Sequence, residues 1–315
     1  MKPITVRTLQ QRKQEQQPIT MVTCYDATFA RLVDGAGIDT ILVGDSLGMV
    51  VQGQSNTLAV TVDEIAYHVR AVARGTQRAH IVGDMPFMSY HTSEADALRS
   101  AATLLQAGAH AVKLEGGKQV AATVRRMVDA GIPVMGHVGL LPQSVHAQGG
   151  FVVQGRDEAS RQRIIEDAVA LEAAGAYAVV LEGIPTDVAK AVTERLQIPT
   201  IGIGAGNVCD GQVLVLYDLL GLDPSFKPKF VKRFADGASL VTSALQDYIS
   251  EVRSRSFPDA DHAFGARPAR VAALVNDVPM GNAAYGPTDE TAADVVESQG
   301  ETPATGKNPL RLASS

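Results

Sequence analysis

Short apolar runs alternate with amphipathic stretches along this chain from about residue 19 to residue 254. The runs are Ile19–Thr23, Thr40–Val43, His80–Gly83, His110–Leu114, Pro133–His137, Tyr177–Leu181, Pro199–Ile203 and Gln212–Tyr217. A run of this length that is apolar throughout reads as a strand buried on both faces. Between them, Val62–Arg74, Ser93–Ala107, Val120–Ala130, Glu158–Ala174 and Thr186–Leu196 carry apolar residues at helical spacing, and Lys229–Val252 reads as a long last helix. Gly75, Gly108, Gly131 and Gly175 supply C-caps, and Thr61 with Glu64 supplies a capping box. Alternating β and α at this spacing predicts a parallel sheet. Eight such units predict closure into a (β/α)8 barrel, the TIM fold.

Two connections are long, Gly44–Thr61 after the second strand and Gly139–Gly155 after the fifth. Structureless loops of that length are commonly lids over a site. From Gly265 onward Ala, Gly, Pro, Thr, Asp and Glu dominate and no period persists. The expected organisation is therefore a catalytic barrel over 1–264 and a disordered tail over 265–315.

Composition narrows the function classes. The chain has 315 residues, 45% of them hydrophobic, which is enough for one large core. Its net charge is −6, it has no Trp, and it lacks a long basic run, so nucleic acid is not an expected partner. No apolar stretch is long enough for a membrane span. Met1–Pro18 has no signal-peptide core, and Cys24 and Cys209 are too few for a disulfide framework. A cytoplasmic location is expected.

The chemistry lies in where the acids fall. Asp26, Asp45, Asp84, Glu115, Glu182 and Asp218 each stand at or just past the end of a run. Barrel enzymes build their sites at that end. In a closed barrel the second and third strands are neighbours, about 4.8 Å apart. Asp45 and Asp84 leaving them together would repel unless a cation lies between. Oxygen ligands of this charge suit Mg²⁺. Glu115, on the next strand, can be a third ligand or reach the metal through water. Lys113 lies two residues before it, on the same side of the strand, and can offset the acids or grip an anionic substrate. Glu182, across the ring, is placed to act as a base. Asp26, Ser46 and His137 complete the rim. Structural roles compete for several of these, most of all for Asp26 and Asp218. The glycines of Gly202-Ile203-Gly204-Ala205-Gly206-Asn207 could cradle a phosphate or simply make a tight turn.

Several strings, in order, resemble the ketopantoate hydroxymethyltransferase family. They include Thr23-Cys24-Tyr25-Asp26, Val43-Gly44-Asp45-Ser46-Leu47-Gly48-Met49, Asp84-Met85-Pro86-Phe87-Met88 and Val112-Lys113-Leu114-Glu115-Gly116-Gly117. Gly136-His137-Val138-Gly139-Leu140, Leu141-Pro142-Gln143-Ser144, Leu181-Glu182 and Ile201-Gly202-Ile203-Gly204-Ala205-Gly206 continue the match. The resemblance implies a Mg²⁺-dependent barrel of the phosphoenolpyruvate/pyruvate type. It implies transfer of a one-carbon unit from 5,10-methylenetetrahydrofolate to 3-methyl-2-oxobutanoate, giving 2-dehydropantoate for pantothenate and coenzyme A. By the same resemblance Asp45, Asp84 and Glu115 form the metal site. Asp45, Ser46, Asp84 and Lys113 contact the oxoacid, and Glu182 accepts the proton. A homo-oligomer, the decamer among the options, is expected on the same basis. The alternatives are a lyase or mutase of the same superfamily, and a barrel retained as a non-catalytic scaffold.

Overall fold

The computed structural model describes residues 2–225 and 227–265. Its first compact unit spans Met1–Phe257. Eight strands close a parallel barrel in chain order. They are β1 (Ile19–Thr23), β2 (Thr40–Val43), β3 (His80–Asp84), β4 (Ala111–Lys113), β5 (Val134–Gly139), β6 (Ala178–Glu182), β7 (Thr200–Ile203) and β8 (Gly211–Leu214). The helices are α1 (Val6–Gln14), α2 (Ala27–Gly35), α3 (Leu47–Val50), α4 (Val62–Gly75), α5 (Glu94–Gln106), α6 (Ala121–Asp129), α7 (Glu158–Ala173), α8 (Thr186–Arg195), α9 (Leu216–Leu220) and α10 (Gly237–Ser254).

Strand alternation sorts the core into two layers. Ile41, Val43, Ile81, Val112, Leu114, Val134, Val179 and Leu181 face outward and pack beneath the helices. Met21, Leu42, Val82, Ala111, Met135, Ala178, Val180, Ile201 and Val213 fill the barrel interior. The register carries the inward set from strand to strand, with Val82 opposite Ala111 and Asp84 opposite Lys113. On the other side Lys113 lies opposite Met135, and His137 opposite Val180. Continuing that alternation toward the C-terminal ends turns Asp84, Lys113, His137 and Glu182 inward.

The opposite end is plugged by the N-terminal segment. Thr5 and Thr8 make a capping box for α1, and Ile4 and Leu9 are buried against the interior cluster. The polar sequence before Pro18 gave no sign of this helix, because Leu9 is its single buried residue.

Three boundaries differ from the sequence reading. The run Gln212–Tyr217 is not one strand: β8 ends at Leu214, and Leu216 begins α9, its backbone N–H bonded to the Thr23 hydroxyl at 3.1 Å. The last helix starts at Gly237, not Lys229, because Asp236 caps it by accepting from the Ser239 backbone N–H. The loop Gly44–Thr61 contains α3. Pro258 opens the second compact unit, whose described part holds a 3-10 turn at Ala260–His262. The tail expected over 265–315 lies outside the described residues except for Gly265. Among the described residues no helix is long and apolar enough to cross a membrane.

Candidate active site

The C-terminal mouth gathers the ionisable groups. Lys113 is buried, and its ammonium donates to both oxygens of Asp84, at 2.9 and 3.0 Å. It also lies 3.6 Å from Glu115 Oε1. The backbone N–H of Asp45, just past β2, donates to Asp84 Oδ2 at 3.1 Å, so the two aspartates are adjacent as their strands require. His137 stands between two acids, with Nδ1 3.5 Å from Glu115 Oε1 and Nε2 3.3 Å from Glu182 Oε2. Gly139 makes room for this rim. Its φ is +101°, and a Cβ there would collide with the Glu182 carbonyl. Ser46, half-buried after β2, shares a 2.8 Å hydrogen bond with the Tyr25 hydroxyl.

Burial and crowding set the charges. Burial, with Asp84 close by, pushes the Asp45 carboxyl well above its ordinary range. Asp84 is raised for the same reason, burial outweighing the Lys113 ammonium. Burial opposes ionisation of Glu115 too, but Lys113 and His137 together overcome it and hold the group low. Burial would keep His137 neutral; Glu115 and Glu182 outweigh it and push the imidazole up to about 9. Three buried carboxyl groups thus share one ammonium and one imidazole, and charging all three calls for further positive charge.

The fit to a divalent cation follows from this imbalance. Glu115 Oε1 is buried without a hydrogen-bond partner among the described residues. Asp45 cannot ionise easily beside Asp84 without added positive charge. No three His, Cys, Asp or Glu side chains among the described residues form a ready-made cage. Mg²⁺ does not require one, since it takes one or two carboxylates and keeps several waters.

Other candidates lie elsewhere. Asp26 caps α2, accepting from the Thr28 and Phe29 backbone N–H groups at 2.7 and 2.9 Å, which is a structural role. Asp218 sits in α9; burial, with Asp223 nearby, pushes it up to about 6. Within β7 a Cβ at Gly202 would meet Cys209, and in the loop after it one at Gly204 would meet Phe230 and one at Gly206 Thr186. Those glycines serve close packing. Two residues without a role in the sequence reading belong to the site, Tyr90 and Gln143. The Tyr90 hydroxyl accepts from the Glu115 backbone N–H at 3.1 Å and donates to Gln143 Oε1 at 2.7 Å. Gln143 Nε2 donates to Asp45 Oδ2 and to the Met85 carbonyl, each at 2.9 Å. No local spacing marks either residue. For Gln143 the available signals were its place in the long connection after β5 and the string Leu141-Pro142-Gln143-Ser144; Tyr90 carried none.

Fold and site together define an α/β barrel whose buried carboxylates and lysine converge at the C-terminal mouth. Solved structures of the same fold include 2,3-dimethylmalate lyase, a member of the phosphoenolpyruvate mutase/isocitrate lyase superfamily, with TM-score 0.54 and 14% identity over 82% of this chain and 91% of that one. A second is phosphonopyruvate hydrolase in complex with oxalate and Mg²⁺, with TM-score 0.54 and 12% identity over 82% of this chain and 92% of that one. The sequence is far closer to another group. A 3-methyl-2-oxobutanoate hydroxymethyltransferase of Anaeromyxobacter dehalogenans is 55% identical over 86% of this chain and 90% of its own length. One of Magnetococcus marinus is 56% identical over 84% of this chain and 98% of its own. The sequence model of ketopantoate hydroxymethyltransferase matches residues 3–260. The chain belongs to that family and is a transferase.

Proposed function

We propose that this enzyme moves a hydroxymethyl group from 5,10-methylenetetrahydrofolate to 3-methyl-2-oxobutanoate, giving 2-dehydropantoate. The observation that carries this reading is the inward cluster of Asp84, Lys113, Glu115, His137 and Glu182 at one end of the barrel, in a chain of this family. The printed names of the relatives and the oxalate–Mg²⁺ complex of a barrel of the same fold support it.

In this reading Asp45 and Asp84 would hold Mg²⁺, with Glu115 completing the site directly or through water. Bound there, the ion would polarise the keto group of the oxoacid and make its C3 proton more acidic. Lys113, with Ser46 on the rim, would hold the anionic end of the substrate. Glu182 takes the C3 proton on its carboxylate, a contribution of ~10²–10⁴ in rate for a well-placed base. His137 keeps that carboxylate oriented and balances its charge. The freed electron pair at C3 forms the new carbon–carbon bond to the folate one-carbon unit, whose bond to one of its two folate nitrogens breaks as that nitrogen takes up a proton. Water supplies the product hydroxyl as the bond from that carbon to the second folate nitrogen breaks, releasing tetrahydrofolate. The lid after β5 would keep water away until that step.

A homo-oligomer belongs to the same proposal, with the decamer as the family resemblance suggests. α10 has no buried residue, and Leu240, Val241, Leu245, Tyr248, Ile249 and Val252 are exposed along it. A cytoplasmic location completes the reading.

The rival lyase reading finds less support. Burial pushes the Cys24 thiol up to about 11 and raises Cys209 as well, so neither is a ready nucleophile. An assay with Mg²⁺ and the oxoacid, with and without the folate, separates the two. Product that requires the folate is the expected result; cleavage of an oxoacid without it would replace the transferase reading with the lyase.

A further inference from the structure

We infer that Gln143 is a positioning residue through which the lid after β5 holds Asp45 and Glu115 in the arrangement that takes a divalent cation. The inference rests on the metal reading above and adds a residue and a coupling to it.

Gln143 lies in the short 3-10 turn Pro142–Ser144 at the start of the lid, and it is 4% exposed. Its backbone N–H donates to Glu115 Oε2 at 3.0 Å. Its side-chain amide donates to Asp45 Oδ2 and to the carbonyl of Met85, the residue after Asp84. One residue therefore touches two of the three carboxylates and the strand end bearing the third. The amide has a fixed sense. Tyr90 donates to Oε1, and both protons of Nε2 face acceptors. Turning the amide over would set Oε1 against Asp45 Oδ2 and the Met85 carbonyl, oxygen against oxygen. The Tyr90 hydroxyl, which donates to Oε1, also accepts from the Glu115 backbone N–H, so Tyr90 ties the latch to the chain just past β4.

Such an arrangement couples two regions. Gln148, further along the lid, closes the turn by accepting from the Leu141 backbone N–H at 3.1 Å and donating to the Gly139 carbonyl at 3.2 Å. When the lid is seated, Gln143 presents Asp45 with its second oxygen free for a ligand. If the seated lid favours cation binding, the cation must favour the seated lid by the same free energy.

Gln143→Met tests this, because it keeps the volume and the backbone N–H and removes only the amide. Two readouts are taken without substrate: the Mg²⁺ dissociation constant by titration calorimetry, and hydrogen exchange of the amides over 145–153 with and without Mg²⁺. The expected result is affinity weakened ~10–100-fold, the range for groups that orient metal ligands. Mg²⁺ should slow exchange over the lid in the natural sequence and fail to do so in the variant. Tyr90→Phe, which keeps Gln143 but frees its amide, should shift both readouts in the same direction by less, and it decides the matter if Gln143→Met does not fold. Mg²⁺ affinity and lid protection equal to the parent in the variants would overturn the inference while leaving the metal reading intact. Failure of the parent protein to bind Mg²⁺ would overturn both.

Discussion

The two ends of this barrel are made by the same strands and treat a buried histidine in opposite ways. At the N-terminal end His80 is buried beside His110 and the Tyr177 hydroxyl, under the plug of Ile4 and Leu9. Burial, reinforced by the neighbouring imidazole, drives its pKa down to about 3, so it is neutral. At the C-terminal end His137 is equally buried, and two carboxylates push it up to about 9. Desolvation alone removes charge; desolvation among opposite charges keeps it. The closed end combines apolar packing with paired charges, Asp39 with Arg12 and Arg78 and Asp210 with Lys13. The open end holds a concentrated set of charges, and the proposed chemistry uses them.

Altering each end should have distinct consequences. Asp84→Ala carries the largest expected effect. Steady-state assays should show turnover at least ~100-fold lower. Denaturant unfolding should show ~3–5 kcal/mol of lost stability, because Lys113 is left buried beside too few partners. Near-normal turnover would dissolve the contrast between the ends. Leu9→Ala addresses the plug. Denaturation should show a loss of ~2–5 kcal/mol, the range for a buried leucine, with kcat and KM unchanged once the protein is folded. A changed KM would mean that the plug shapes the mouth.

The last effect is on pH dependence and vanishes at neutral pH. An unfolded histidine binds a proton below about 6.5, whereas folded His80 does so only near 3. Between those values the unfolded chain holds more protons, so stability falls as pH drops through that window and is unaffected above it. His80→Gln should flatten this part of the acid limb, by at most ~4 kcal/mol between pH 6.5 and 3. An unchanged slope in urea titrations at pH 4 and 7 would show that His80 is not held neutral.

The barrel was legible in the sequence; the plugged end was not. Short apolar runs predicted the strands and their closure, and the acids after them predicted the end where the ionisable groups gather. Lys113 two residues before Glu115 predicted that both face inward, and they lie 3.6 Å apart. What escaped was decided by tertiary contact. Leu216–Leu220 is apolar at both strand and helix spacing, and a short run of that kind does not choose between them. α1 is polar except for Val6 and Leu9, which pack against the barrel floor, and only Leu9 is buried. Asp26 stands where a rim acid would, but the Asp-Ala-Thr-Phe sequence is equally an N-cap, and the backbone donors of α2 claim it. Gln143 reaches Asp45 across 98 residues of sequence, and no local pattern encodes such a contact.

The central claim is that Glu182 deprotonates an oxoacid held by the cluster around Asp45 and Asp84. Deuterium loss from 3-deutero-3-methyl-2-oxobutanoate, followed with Mg²⁺ present and the folate omitted, tests it most directly. The natural sequence should exchange the C3 deuterium with solvent, and Glu182→Gln should slow that exchange at least ~100-fold. Exchange at the same rate in both proteins would contradict the account.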